Sequence, residues 1–424
     1  MSRLIHQIRL KNLLSFGQPG IDLELKDLNV LIGPNSAGKS NLIEVMGLLK
    51  GLPRDLTAPL REGGGAMEWL WKGAPQAKTA EIEATLGYTA GKTPLFYRLS
   101  LAEVNGRLEI ADENLVYERQ HGPHPVPALI LYAYNKGDPY TRIHMGTTGR
   151  VRKSAGQAKR GMSGQNRRVK RSPARIDHVL GHQQKDMRTD QSVLSYKRDP
   201  DFYPELTYVG EKFASIQLYR EWMLGPFSPV RRPQRVDLPD DFLLEDVSNL
   251  GLIVNDLQLR LDTKALILEK LKRFYENVTD LGIKVQGGTI QIFLHEKDLR
   301  TPVPTARLSD GTLRFLSLLA ILCHPTPPPL VCIEEPELGL HPDIMPTLAE
   351  LLQEASQKCQ LIVTTHSAEL VSALSSAPED VVVCERAAEG TTFRRLEAAK
   401  LKDWLDKYAL GDLWKMGELG GNRW

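Results

Sequence analysis

Cysteine is scarce in this chain. Four occur among 424 residues, Cys323, Cys332, Cys359 and Cys384, and no two form a C-x-x-C pair. That usage excludes a zinc ribbon or a disulfide framework and fits a reducing compartment. Long apolar runs are also missing. The best, Phe315–Cys323, is nine residues long and includes Ser317, far short of the roughly 18 that a membrane helix needs. Met1–Leu10 alternates charged and apolar residues and carries no secretory h-region, so a cytoplasmic protein without a membrane partner is expected. No heptad array and no internal repeat is visible. Apolar residues make up 42% and charged residues 25%, ordinary globular usage with enough chain for one large or two medium domains.

Acid is absent from one stretch. Residues 141–176 hold eleven Lys and Arg and no Asp or Glu, whereas the remainder carries a net charge of −9, so an overall +2 conceals a concentrated cation. With few large apolar side chains, the stretch reads as a mobile loop or insertion. Its lysines and arginines could engage nucleic-acid phosphates, but only Tyr140 offers a nearby ring for base stacking. A solvated insertion, or a patch for an acidic protein partner, accounts for it equally well.

Periodicity places the elements. Ile5–Leu10 and Ile21–Leu25 alternate as half-buried strands. Leu28–Ile32 is a buried strand, Gly33–Lys39 a turn and Ser40–Leu49 a helix. From Ala80 to Tyr117 alternating stretches predict an antiparallel sheet. Helical spacing covers Tyr203–Leu224 and Ala265–Val278, and Ile283–Leu294 reads as a hairpin around Gly287-Gly288. Helices are predicted over 312–323, 343–356 and 367–374. They alternate with strands over 330–334, 360–364 and 380–384, which implies a parallel α/β sheet. Leu401, Trp404, Leu405 and Tyr408 share one face of a C-terminal helix, packed on its own domain or docking a partner.

Four motifs carry chemistry. Gly33-Pro34-Asn35-Ser36-Ala37-Gly38-Lys39-Ser40 fits G-x-x-x-x-G-K-[ST] between a strand and a helix. In such a loop backbone N–H groups wrap phosphates, the lysine reaches the β- and γ-phosphates and the hydroxyl ligates Mg²⁺. Leu330-Val331-Cys332-Ile333-Glu334-Glu335 is a buried strand ending in acids, which can hold Mg²⁺ and polarise water. Leu308-Ser309-Asp310-Gly311-Thr312 opens an apolar helix; Ser309 is a good N-cap, and the same helix end could receive phosphate. Leu361–Thr365 is a further buried strand, followed by His366.

In this order the motifs resemble the ATP-binding-cassette type of P-loop ATPase. The closer resemblance is to the RecF/SMC-like branch of AAA proteins that includes the overcoming-lysogenization-defect (OLD) ATPases. Leu10-Lys11-Asn12 before Ser15-Phe16, Glu335-Pro336-Glu337-Leu338-Gly339-Leu340-His341-Pro342 and the ending Gly417–Gly421 are similar to that branch and to its predicted bacterial ATPases. The resemblance implies an α/β fold with a β-rich N-terminal lobe and an inserted, mostly helical arm. The implied divisions are 1–135 (lobe with the phosphate loop), 136–300 (insertion, basic over 141–176), 301–395 (second lobe) and 396–424 (tail).

It also implies roles. Gly33–Ser40, with Asn41, would bind ATP. Ser40 and Glu334 would hold Mg²⁺, Glu335 would be the catalytic carboxylate, and Lys39 and His366 would face the γ-phosphate. Leu338–His341 would lie near the D-loop. Ser309 and Gly311 would be the signature motif, completing the site of a second copy in an ATP-sandwiched homodimer. Gln191 is a candidate Q-loop residue, an ordinary surface glutamine being as good an account. Glu334 stands where Asp is commoner, which puts fast turnover in doubt. No acidic DxD cluster follows His366, so the chain is not expected to be a nuclease by itself. The implied function is an ATP-driven dimer switch controlling a separate effector, a nuclease or toxin, in DNA repair or anti-phage defence. A RecF-like recombination mediator and a slow-turnover ATP-binding scaffold are the alternatives.

Overall fold

The computed structural model describes residues 3–73, 79–91, 93–117, 130–135, 138–141 and 188–421. The basic stretch therefore lies, beyond residue 141, outside the described residues.

The short apolar runs of the sequence form the centre of the molecule. Six strands lie in the order Gly390–Arg395, Val381–Ala387, Leu28–Ile32, Gln360–Thr364, Leu330–Glu334 and Gln217–Tyr219. All neighbours are parallel except the hairpin pair at 381–395. Period-two side-chain alternation splits these strands between two apolar clusters. Val30, Ile32, Val331, Ile333, Leu361 and Val363 face one way, with the helices Leu250–Leu259, Asp310–Leu322 and Met345–Ser356. Leu31, Leu330, Cys332, Ile362 and Cys384 face the other, with the helix Lys39–Gly51 and the antiparallel sheet. A sheet covered on both faces has no polar side to show, which is why its strands read as continuous apolar runs.

The antiparallel sheet has seven strands, ordered Ile21–Glu24, Ile5–Lys11, Thr79–Leu86, Leu95–Val104, Arg107–Tyr117, Ile130–Asn135 and Asp138–Thr141. Its predicted alternation over 80–117 is present. Gln360 joins the two sheets: its side chain accepts from the Ile5 N–H at 3.0 Å and donates to the Ile5 carbonyl at 2.7 Å. On the same lobe Glu113 is buried and accepts from Tyr97, Ser192 and the Val193 N–H. This holds the chain where it re-enters the described structure.

The segment after residue 188 differs from its periodicity in two places: the helix expected over Tyr203–Leu224 is cut short, and the one expected over Ala265–Val278 starts and stops four residues earlier, Val278 opening a strand instead. The helix expected over Tyr203–Leu224 runs only from Pro204 to Ala214. Residues 217–219 then turn into the sixth central strand, and the Tyr219 hydroxyl donates to the Leu243 carbonyl at 2.5 Å. The later helix spans Leu261–Phe274, with Tyr275 extended at its end. Its residues Ile267 and Leu271 pack into the same cluster as the central sheet. The hairpin Val278–Gln286 and Thr289–Glu296 forms around Gly287-Gly288.

Candidate functional site

The parallel strands Leu28–Ile32, Leu330–Glu334 and Gln360–Thr364 all end on one edge, where open α/β sheets place ligands. The turn after the first cannot be built from ordinary residues. Gly33 and Gly38 have φ values of 147° and 101°, and Ser36 sits at 66°. A Cβ on Gly38 would collide with Thr391 Oγ1 and stand 2.6 Å from Ser15 Oγ. Thr391 clasps the loop from the C-terminal hairpin, its hydroxyl donating to the Ala37 carbonyl at 2.8 Å. Asn35 and Ser36 lie exposed on the crown of the loop, and Asn41 is half-buried in the first helical turn. No side chain caps the helix Lys39–Gly51 and no acid stands in its first turn, so its positive end faces the loop.

Lys39 is buried. Its Nζ donates to the carbonyls of Gly33 at 2.8 Å and Pro34 at 3.0 Å. Burial lowers its pKa; Cys384, Glu335, Glu337 and Glu334 act against that shift. An ammonium held only by carbonyls in a half-dry loop is a ready partner for a phosphate oxygen.

The acids lie across from it. Glu334 receives the Ser40 hydroxyl at 3.4 Å on one oxygen and Arg220 Nε at 3.1 Å on the other. Arg220 also donates to Glu44 at 3.1 Å. Burial raises the pKa of Glu334, and Arg220 opposes that rise. Glu335 takes a left-handed backbone, φ 46°, a conformation that non-glycine residues hold at a cost and that clusters at functional sites. Its N–H donates to the Thr364 carbonyl at 3.0 Å, its carbonyl accepts from Arg314 at 3.0 Å, and its carboxylate stands 3.6 Å from His366 Nε2. Arg314 also lies over the Trp222 ring, 5.0 Å from its centroid.

Glu337 supports this pair. One oxygen accepts from the Thr365 hydroxyl at 2.7 Å and the His366 N–H at 2.8 Å, and the other is buried without a protein partner. Burial raises its pKa, against those two hydrogen bonds.

Lys39, Ser40, Glu334, Glu335 and His366 are thus gathered at one place by loop, strand and strand ends. Other expected site residues are not. Gln191 lines a separate cavity with Leu52, Arg54, Asp55 and Ser192. That cavity sits past the far end of the helix Lys39–Gly51, about 20 Å of helix from the loop. Ser309 caps the helix Asp310–Leu322, accepting from the Thr312 N–H at 3.1 Å. Gly311 lies against the backbone of Gly339, where a Cβ would stand 2.5 Å from the carbonyl oxygen. Among the described hydrogen bonds neither reaches the phosphate loop of its own chain. Sequence reasoning missed Arg220, Arg314 and Trp222. Nothing in the local pattern marks them, because the strand that delivers Arg220 is three residues long.

The oxygens of Ser40 and Glu334 fit a hard divalent cation. Among the described residues no group of three or more His, Cys, Asp or Glu is arranged to hold a metal. Such an ion would take its other ligands from phosphate and water, as Mg²⁺ commonly does.

Comparison with known proteins agrees with this architecture. A family model described as "AAA domain, putative AbiEii toxin, Type IV TA system" matches residues 182–372. Two solved structures with TM-scores of 0.54 cover nearly the whole chain. One is an Smc head bound to the C-winged helix domain of ScpA, at 13% identity over 94% of this chain and 99% of that one. The other is an Smc head domain with an extended coiled coil bound to the C-terminal domain of ScpA, derived from Pyrococcus furiosus. Its identity is 12%, over 96% of this chain and 99% of that one. No curated protein matches. The chain has the P-loop, ABC-type ATPase fold of the SMC heads. No helix among the described residues is long and apolar enough to cross a membrane.

Proposed function

We propose that this protein binds and hydrolyses ATP with Mg²⁺, and that nucleotide joins two copies head to tail. The observation that carries the reading is the convergence of Lys39, Ser40, Glu334, Glu335 and His366 at the ends of three parallel strands. The phosphate-loop N–H groups and Lys39 would bind the β- and γ-phosphates, and Ser40 and Glu334 the metal, which supplies charge neutralisation. Glu335 would accept the proton of the attacking water, with His366 beside it. Ser309 and Gly311, which make no described hydrogen bond to their own loop, would complete the site of a second copy. ATP binding then closes the dimer and hydrolysis opens it.

The effector of such a switch would be another chain. The matched family's description names a toxin and a type IV TA system, which favours a toxin-linked switch over a recombination role. Two variants test the core reading. Lys39→Ala should lose nucleotide binding. Glu335→Gln should bind ATP, hydrolyse it at least about a hundredfold more slowly and accumulate as a dimer in size-exclusion chromatography with light scattering. Wild-type affinity and turnover in Lys39→Ala would sink the assignment.

A further inference from the structure

Arg220 enters the site from an element with no motif. It follows Tyr219, the register partner of Ile333, and so lies level with Glu334 on the neighbouring parallel strand. Its guanidinium grips the Glu334 oxygen that Ser40 leaves free and reaches on to Glu44, one helical turn beyond Ser40. With its side chain 38% exposed, it is anchored between two carboxylates.

Glu334 does not need this arginine to be held in place. Its backbone is paired with Thr364 in the sheet, and its carbonyl accepts the Trp222 indole N–H at 3.1 Å. What Arg220 adds is charge. A guanidinium fixed to one oxygen of a carboxylate repels a divalent ion at the other, in a half-buried setting where such repulsion is weakly screened.

We propose that Arg220 is a tethered counter-cation that competes with the divalent metal for the charge of Glu334, and so sets the metal concentration at which the site takes up nucleotide. The inference rests on the nucleotide-site reading above. Its consequence is a site held closed to nucleotide at low free Mg²⁺ by a cation of its own.

The test is a Mg²⁺ titration of the binding of a fluorescent, non-hydrolysable ATP analogue to the full chain. Arg220→Gln should lower the half-maximal Mg²⁺ concentration by about tenfold. Arg220→Lys, which keeps the charge, should stay near wild type. Arg54→Gln removes an equal charge from a second cavity that Arg54 and Arg220 both line, at a side chain whose hydrogen bond goes to the Ala214 carbonyl instead of an acid. It should move the midpoint less than about twofold. Thermal melts would check that each variant is folded. An unchanged midpoint in Arg220→Gln, a midpoint shifted upward, or binding indifferent to Mg²⁺ would overturn the inference. Absence of analogue binding to the wild type at any Mg²⁺ concentration would instead remove the nucleotide site itself.

Discussion

Gly38 shows how closely single residues are constrained at this site. Its φ of 101° lies outside the comfortable range of L side chains, and the space for a Cβ is occupied by the hydroxyls of Thr391 and Ser15. Gly38→Ala should cost about 1–3 kcal/mol of stability and weaken nucleotide binding. Urea denaturation and calorimetric titration would show both, and a variant with wild-type midpoint and affinity would contradict the packing argument. Glu337 offers a second case. Because it holds the Thr365 hydroxyl and the His366 N–H, Glu337→Ala should slow turnover while leaving nucleotide affinity within about threefold. A parallel loss of affinity would show that it acts on the ground state. Lys39, Ser40, Glu334, Glu335 and His366 were legible in the sequence, because each ends a buried run or sits in a glycine turn. Arg220 and Arg314 were not: one follows a strand too short for any periodicity, and the other is an ordinary position on an apolar helix.

At the level of elements, length decided what the sequence could reveal. Short, mainly apolar runs of five residues such as Leu28–Ile32 and Gln360–Thr364 announce buried parallel strands, and both are fully buried. The strand Gln217–Tyr219 exists through its neighbours, by pairing with Leu330–Glu334 and through the buried Tyr219 ring. Tertiary contact there overrode a helical pattern that ran past Ala214. The strand Val381–Ala387 makes a pH prediction. Burial beside Glu379 raises the pKa of Asp380, at its foot, from 3.8 to about 6, against the pull of Lys26 and Arg395. The folded state therefore holds this proton more tightly than the unfolded chain. Its contribution to stability is complete below about pH 4 and is lost as pH rises through about 6. Asp380→Asn cannot titrate, so its stability relative to wild type should climb between about pH 4 and pH 7. Urea midpoints of the two proteins across that range would show the divergence, and a constant difference would mean that Asp380 does not titrate as described.

For the whole molecule, the charge imbalance makes a prediction that geometry does not reach. If residues 141–176 grip nucleic-acid phosphates, replacing Arg167, Arg168, Lys170 and Arg171 by Ala should weaken duplex binding. The salt dependence should then become shallower by roughly three to four in log–log slope. Equal affinity of the two proteins for duplex DNA would assign the segment to an acidic protein or to solvent. The pure protein, with no DxD pair after His366 in the sequence, should leave DNA uncut in Mg²⁺ or Mn²⁺, as gel assays would show.

The position of Leu28–Ile32 between Gln360–Thr364 and Val381–Ala387 also governs how the polypeptide is made. Of the three, this mainly apolar strand leaves the ribosome first, and its two neighbours emerge more than three hundred residues later. At about 5–20 residues per second it waits for tens of seconds or longer with unpaired edges. Nascent chains released before Gln360 should therefore be insoluble or chaperone-bound, even though they already carry the complete phosphate loop. Chains arrested beyond Arg395 should be soluble, and a pulse-labelled truncation series separates the two.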